Sequence, residues 1–277
     1  MISQDNNANR PSRATLCLTL DNMGRAKEIG EGKFGTPDPS DQSLVVGYPK
    51  VLDLLDRLGL KATFFIEAWN CLHHPEKVRE LAVRGHDVGV HGWVHEKFAE
   101  LGRQRAQQIL HDCTAMMRAL DLDPKGFRAP GGVRGAYAAD ILADLGYEYD
   151  SSIDHTHAQE MAGTKAVAGE PNLLSSGLVN IPWLWSAIDV IHYFRRADGP
   201  GTPQQLVTEW RAKLDAAKRT GGTLTVIVHP YVSGTDDLRF EAIKTFLAAA
   251  AADKDVEILT GRELARRFRI SKARASA

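Results

Sequence analysis

Cysteine is scarce. The 277 residues hold three, Cys17, Cys71 and Cys113, far apart and with no CxxC pair. That excludes a thiolate zinc cluster and argues against a disulfide frame; reduced thiols in a reducing compartment fit better. Any metal must therefore be held by nitrogen and oxygen. No apolar run approaches the roughly 18 residues that a membrane span needs, and the first thirteen residues, MISQDNNANRPSR, contain no apolar stretch of the kind a secretion signal carries. A cytoplasmic protein is the expectation. Charge of one sign is missing as well: 34 Lys and Arg against 35 Asp and Glu leave a formal charge of −1. No whole-chain field draws nucleic acid or an anionic membrane, and the charged stretch RELARRFR at 262–269 reads as a solvated helix face. There is no internal repeat.

What is present is a rhythm. With 43% hydrophobic residues the chain can bury one large core. Strand-like runs at 14–21, 61–66, 86–90, 126–129, 147–151, 178–182, 223–229 and 255–259 alternate with helical patterns at 47–59, 75–84, 103–120, 136–145, 203–220 and 237–252. Strand then helix, repeated about eight times, predicts a distorted (β/α) barrel of seven or eight parallel strands spanning residues 14–270, with a flexible arm at 1–13 and a frayed tail at 271–277. Two segments break the rhythm, 22–46 and 152–177. Both follow strands, so both overhang the C-terminal mouth of a barrel.

Side chains alternate along a strand. In ATLCLTLD this sets Leu16, Leu18 and Leu20 against the outer helices and turns Cys17, Thr19 and Asp21 inward. The same parity places His91 with Gly89, Arg128 with Gly126, Asp150 with Glu148, and His229 with Thr225 and Ile227. Five ionisable residues thus stand at strand ends on interior faces, where barrel enzymes carry their chemistry. The stretch HGWVH at 91–95 adds a second histidine, and one helical turn there sets His91 and His95 on one face, in reach of one metal ion.

Taken together, LTLDN at 18–22, HGWVH, FRAPGG at 127–132 and TVIVHP at 225–230 resemble, in order, the motifs of the polysaccharide deacetylase family, carbohydrate esterase family four. The resemblance runs from about residue 13 to 232, and FRAPGG, YDSSID and IPWLW look closest to its intracellular branch. It implies a metal-dependent hydrolase of an N-acyl bond, usually N-acetyl on an amino sugar or a similar small acylated amine. Residue by residue it makes Asp21 the general base, held by Arg128, and His229 the general acid, oriented by Asp150. His91 and His95 become ligands of a divalent ion, Zn2+ first and Co2+ or Ni2+ as substitutes, and the Gly131 N–H an oxyanion donor. Asn22 occupies the place of the family's anionic ligand, an aspartate. Three arrangements stay open: the Asn22 carbonyl ligates, Asp21 turns to the metal, or no ion is held.

Trp93, Trp183 and Trp185 are candidate substrate walls, against a packing role for each. His155 and His157 lie in the irregular 152–177 segment, His73 and His74 at a helix start, and His192 among apolar residues in IDVIHYF; each reads as structural or solvated. The expected partner is a small-molecule or saccharide substrate, with no nucleic acid and no membrane, and a homo-oligomer completing the mouth is open. Two rivals remain: hydrolysis of a cyclic imide or amide on the same fold, and a catalytically silent carbohydrate-binding protein.

Overall fold

The computed structural model describes residues 13–153 and 170–275. Among the described residues nine strands make one sheet: β1 Ala14–Asp21, β2 Thr63–Ile66, β3 Asp87–Val90, β4 Gly126–Phe127, β5 Tyr149–Asp150, β6 Asn172–Leu173, β7 Val179–Asn180, β8 Thr223–Val228 and β9 Val256–Leu259. Their order is β6-β7-β5-β4-β3-β2-β1-β8, with β9 also on β1, and every pairing is parallel except β6 with β7. The predicted barrel is there, but distorted. One edge of β1 is shared: β9 pairs its first half, Ala14 to Cys17, and β2 its second, Thr19 to Asp21. Among the described residues the gap between β7 and β8 is crossed only by a bridge from Ile188 to Ile227.

Local chemistry explains the outer helices. Tyr48–Leu58 has Pro49 in its first turn, buries Val51, Leu52, Leu54 and Leu55 along one stripe, and stops at Gly59, whose φ of 64° is a left-handed conformation. Pro203–Thr220 opens on a capping box between Thr202 and Gln205 and closes on Gly221. The last helix, Gly261–Ala275, continues through the segment expected to fray from 271. Its Leu264 and Ala265 close the bottom of the barrel against Cys17, Phe65, Tyr149, Val179 and Ile181. No helix among the described residues is long and apolar enough to cross a membrane.

The leucines of β1 pack outward into the main core, as the alternation requires. The interior holds aromatics in space that glycines leave free. A Cβ on Gly89 would stand 2.6 Å from the Phe65 ring, and one on Gly126 would collide with the Tyr149 ring. Tyr149 therefore points inward, which overturns the parity assigned to its strand. Ser151 shares the Tyr149 face and Asp150 turns outward.

Candidate active site

Asp21 ends β1 at the C-terminal mouth and is only 5% exposed. Arg128, just past β4, donates from one guanidinium nitrogen to Asp21 Oδ1 at 2.7 Å and to Thr19 Oγ1 at 2.8 Å. The rest of the guanidinium is fixed by the Ser151 carbonyl at 3.0 Å, Ser151 Oγ at 2.7 Å and the Phe65 ring, 4.4 Å away. A buried carboxylate is thus held in one orientation by a buried guanidinium.

His91 follows β3. Its Nδ1 lies 2.8 Å from the Arg128 carbonyl, which accepts only if Nδ1 carries the proton, so Nε2 presents a lone pair. HGWVH is not a helical turn. Gly92 and His95 both have positive φ, 78° and 72°, and the Glu96 carboxylate accepts from the N–H groups of Trp93 and Val94. This loop still brings the two rings together, their centroids 5.0 Å apart. Burial pushes the His91 pKa down to about 3 and that of His95 to about 2, so both stay neutral, as metal ligands must be.

His229 ends β8, and its partner is Asp189, not Asp150. Asp189 Oδ1 sits 2.6 Å from His229 Nδ1, while Oδ2 accepts from the His229 N–H at 2.8 Å and from Ser233 Oγ at 2.6 Å. Asp189 is fully buried at the start of the helix Asp189–Phe194. Asp150 instead pairs with Arg134 and accepts from Ser152 Oγ at 2.6 Å. Its outward parity removes it from the site.

Asp21, Asn22, His91, His95, Arg128, Gly131, Trp183, Trp185 and His229 line one cleft that is open to solvent. Trp183 and Trp185 meet edge to face and form one wall; Trp183 is pinned by its indole N–H on the Ser151 carbonyl at 2.8 Å. Trp93 is not part of the lining: it packs on the main core, and its substrate role is withdrawn. Of the remaining histidines, His192 is buried against the Thr202 carbonyl and His73 stacks on Trp69, while His155 and His157 lie outside the described residues. A residue missed in the sequence stands behind the cleft. Glu67, one position past β2 and fully buried, accepts from Asn22 Nδ2 at 2.5 Å and from the Met23 N–H at 3.0 Å. Its carboxylate, pushed up to about 7 by burial, and the two imidazoles have donor atoms all within 4.8 Å of one another. Oxygen and imidazole donors in this number suit a divalent ion such as zinc.

A family model described as polysaccharide deacetylase matches residues 35–149. The peptidoglycan deacetylase-like protein FGM2 of Gibberella zeae is 32% identical over 155 residues, 53% of this chain and 46% of that protein. Over these residues the chain is similar to the polysaccharide deacetylase family. A Mycobacterium smegmatis structure described as a polysaccharide deacetylase superposes with a TM-score of 0.80 at 25% identity, covering 98% of this chain and 94% of that one. The Puue allantoinase structure shares the fold, with a TM-score of 0.76 at 16% identity and 95% of each chain covered. The chain spans about half the length of the curated relatives it matches.

Two carboxylates at this cleft escaped the sequence reading for different reasons. Glu67 was legible: it continues the interior parity of Thr63 and Phe65 one residue beyond KATFFI. Asp189 was not, because it lies outside any strand pattern and only the bridge between Ile188 and Ile227 carries it to His229.

Proposed function

We propose that this chain hydrolyses an N-acyl amide, in the first place the N-acetyl group of an amino sugar. The observation that supports it best is that Asp21, locked on Arg128, and His229, locked on Asp189, line the same cleft as the histidine pair. Asp21 accepts the proton of the attacking water, and its ion pair with Arg128 keeps the receiving oxygen in place. Asp189 holds His229 through Nδ1, which leaves Nε2 to hand a proton to the departing amine. Gly131 lines the cleft, and its backbone N–H is the donor this reading assigns to the developing oxyanion. His91, His95 and an oxygen donor would hold a divalent ion, which when bound would supply Lewis acidity at the acyl oxygen and at water. On the wall where Trp183 and Trp185 meet edge to face, the less buried Trp185 is the ring offered to a sugar face.

A saccharide has room. A second cleft, lined by Val94, Glu96, Pro130 and Val133, joins the first at Lys27, His95, Gly131 and Arg195. The rival ring-opening reaction needs the same base and acid, whereas a silent binder has no use for either. Turnover of N-acetylglucosamine and its short oligomers is measured beside succinimide and hydantoin, with and without added Zn2+. Acetate release from the sugars is the expected result. Turnover of the rings alone transfers the assignment to cyclic amides, and turnover of none leaves a binder.

A further inference from the structure

We infer that Glu67 supplies the anionic ligand of a divalent-cation site completed by His91 and His95, and that Asn22 is the amide that positions it. The inference deepens the N-acyl hydrolase reading, on which it rests for the use made of the ion.

The geometry begins at strand parity. Thr63, Phe65 and Glu67 share the interior face of β2 and its extension, so the carboxylate is delivered to the histidine pair from the neighbouring strand. Glu67 is fully buried and, among the described residues, has no ion pair with any Lys or Arg. Its oxygens accept from three neutral donors: Asn22 Nδ2 at 2.5 Å, the Met23 N–H at 3.0 Å and Asn70 Nδ2 at 3.3 Å. A carboxylate so placed carries a charge that hydrogen bonds alone offset poorly. Beside it stand two neutral imidazoles, one of them already oriented by the Arg128 carbonyl. One cation answers all three groups.

The same contact explains why position 22 is an amide. The NH2 end of Asn22 must face Glu67, because the flipped amide would set oxygen against oxygen. An aspartate there would set two carboxylates at hydrogen-bond distance and remove a donor. The left-handed φ of 66° at Asn22, which asparagine tolerates better than most residues, turns its side chain to this task. The negative charge stands at position 67, and the amide at position 22 is its supporting partner.

The test is zinc titration by calorimetry into chelator-stripped full-length protein, wild type against Glu67→Gln and Asn22→Ala, with thermal unfolding to confirm that each is folded. Asn22→Ala is expected to weaken zinc by about 10–100-fold, as loss of an outer partner does, and Glu67→Gln by more. In zinc-soaked wild-type crystals, anomalous diffraction should place the ion about 2.0–2.2 Å from a Glu67 oxygen; this arm does not depend on any variant folding. A larger loss from Asn22→Ala than from Glu67→Gln, or an ion bonded to Asn22 and not to Glu67, overturns the inference. Zinc on Glu67 without turnover of any acylated amine supports it and sinks the hydrolase reading. Turnover of N-acetylated sugars by wild-type protein that binds no zinc does the reverse.

Discussion

His229 shows how much a single contact can decide. Its Nδ1 is held by a fully buried aspartate that also accepts from the His229 N–H and Ser233 Oγ, so the ring has one orientation and one tautomer. Asp189→Asn should lower kcat by about 100-fold or more, within the range that general acid–base groups contribute, and move the alkaline limb of the pH–rate profile, on which a general acid loses its proton. Asp150→Asn should leave that profile in place and lower Tm, because Asp150 pairs with Arg134 away from the cleft. A changed pH profile in the Asp150 variant would reverse the two assignments. The cysteines are the opposite case. Burial pushes the thiols of Cys17 and Cys71 up to about 12 and raises that of Cys113 as well. A group with a raised pKa keeps its proton at pH 8, so thiol reagents should label none of the three in native protein and all three in denaturant. Fast native labelling would contradict the burial.

The elements hold the site through close approach. β4 can lie beside β5 only because Gly126 leaves space for the Tyr149 ring, whose hydroxyl donates to the buried Asp87 at 2.6 Å. Gly126→Ala should therefore cost about 1–3 kcal/mol by overpacking, seen in denaturant melts. It should also disturb catalysis, since Arg128 follows two residues later. Full stability with full activity would show the ring free to move aside. The capping box of the helix Pro203–Thr220 does not line the cleft: Thr202→Ala should cost about 1 kcal/mol and leave kcat unchanged. The capping box is local chemistry, which is why the helix was legible from a threonine, a proline and a closing glycine. The short β5 was not. Two residues of strand carry too little periodicity to set parity, and its inward face is chosen by the cavity that Gly89 and Gly126 leave.

The whole molecule responds to acid through its buried imidazoles. His86 packs on Phe64, accepts the Ala62 N–H at Nδ1, and burial lowers its pKa from 6.5 to about 4. The unfolded chain binds a proton in that window and the folded chain does not, so stability present above about pH 6.5 is lost as pH falls toward 4. His86→Gln should flatten the fall of Tm between those limits; an unchanged slope would show that other groups dominate it. Sequence alone determined the alternation of strand and helix, hence the parallel barrel, its outward leucines and a mouth carrying Asp21, His91, His95, Arg128 and His229. It could do so because side-chain period and helix caps act over a few residues. Only the tertiary structure decided that β9 shares an edge of β1, that Tyr149 displaces Asp150 from the interior, that Asp189 serves His229, and that Glu67 stands behind Asn22. Those choices depend on which side chains fill one shared volume and which buried charges find partners, and the chain must fold before its distant segments compete for either.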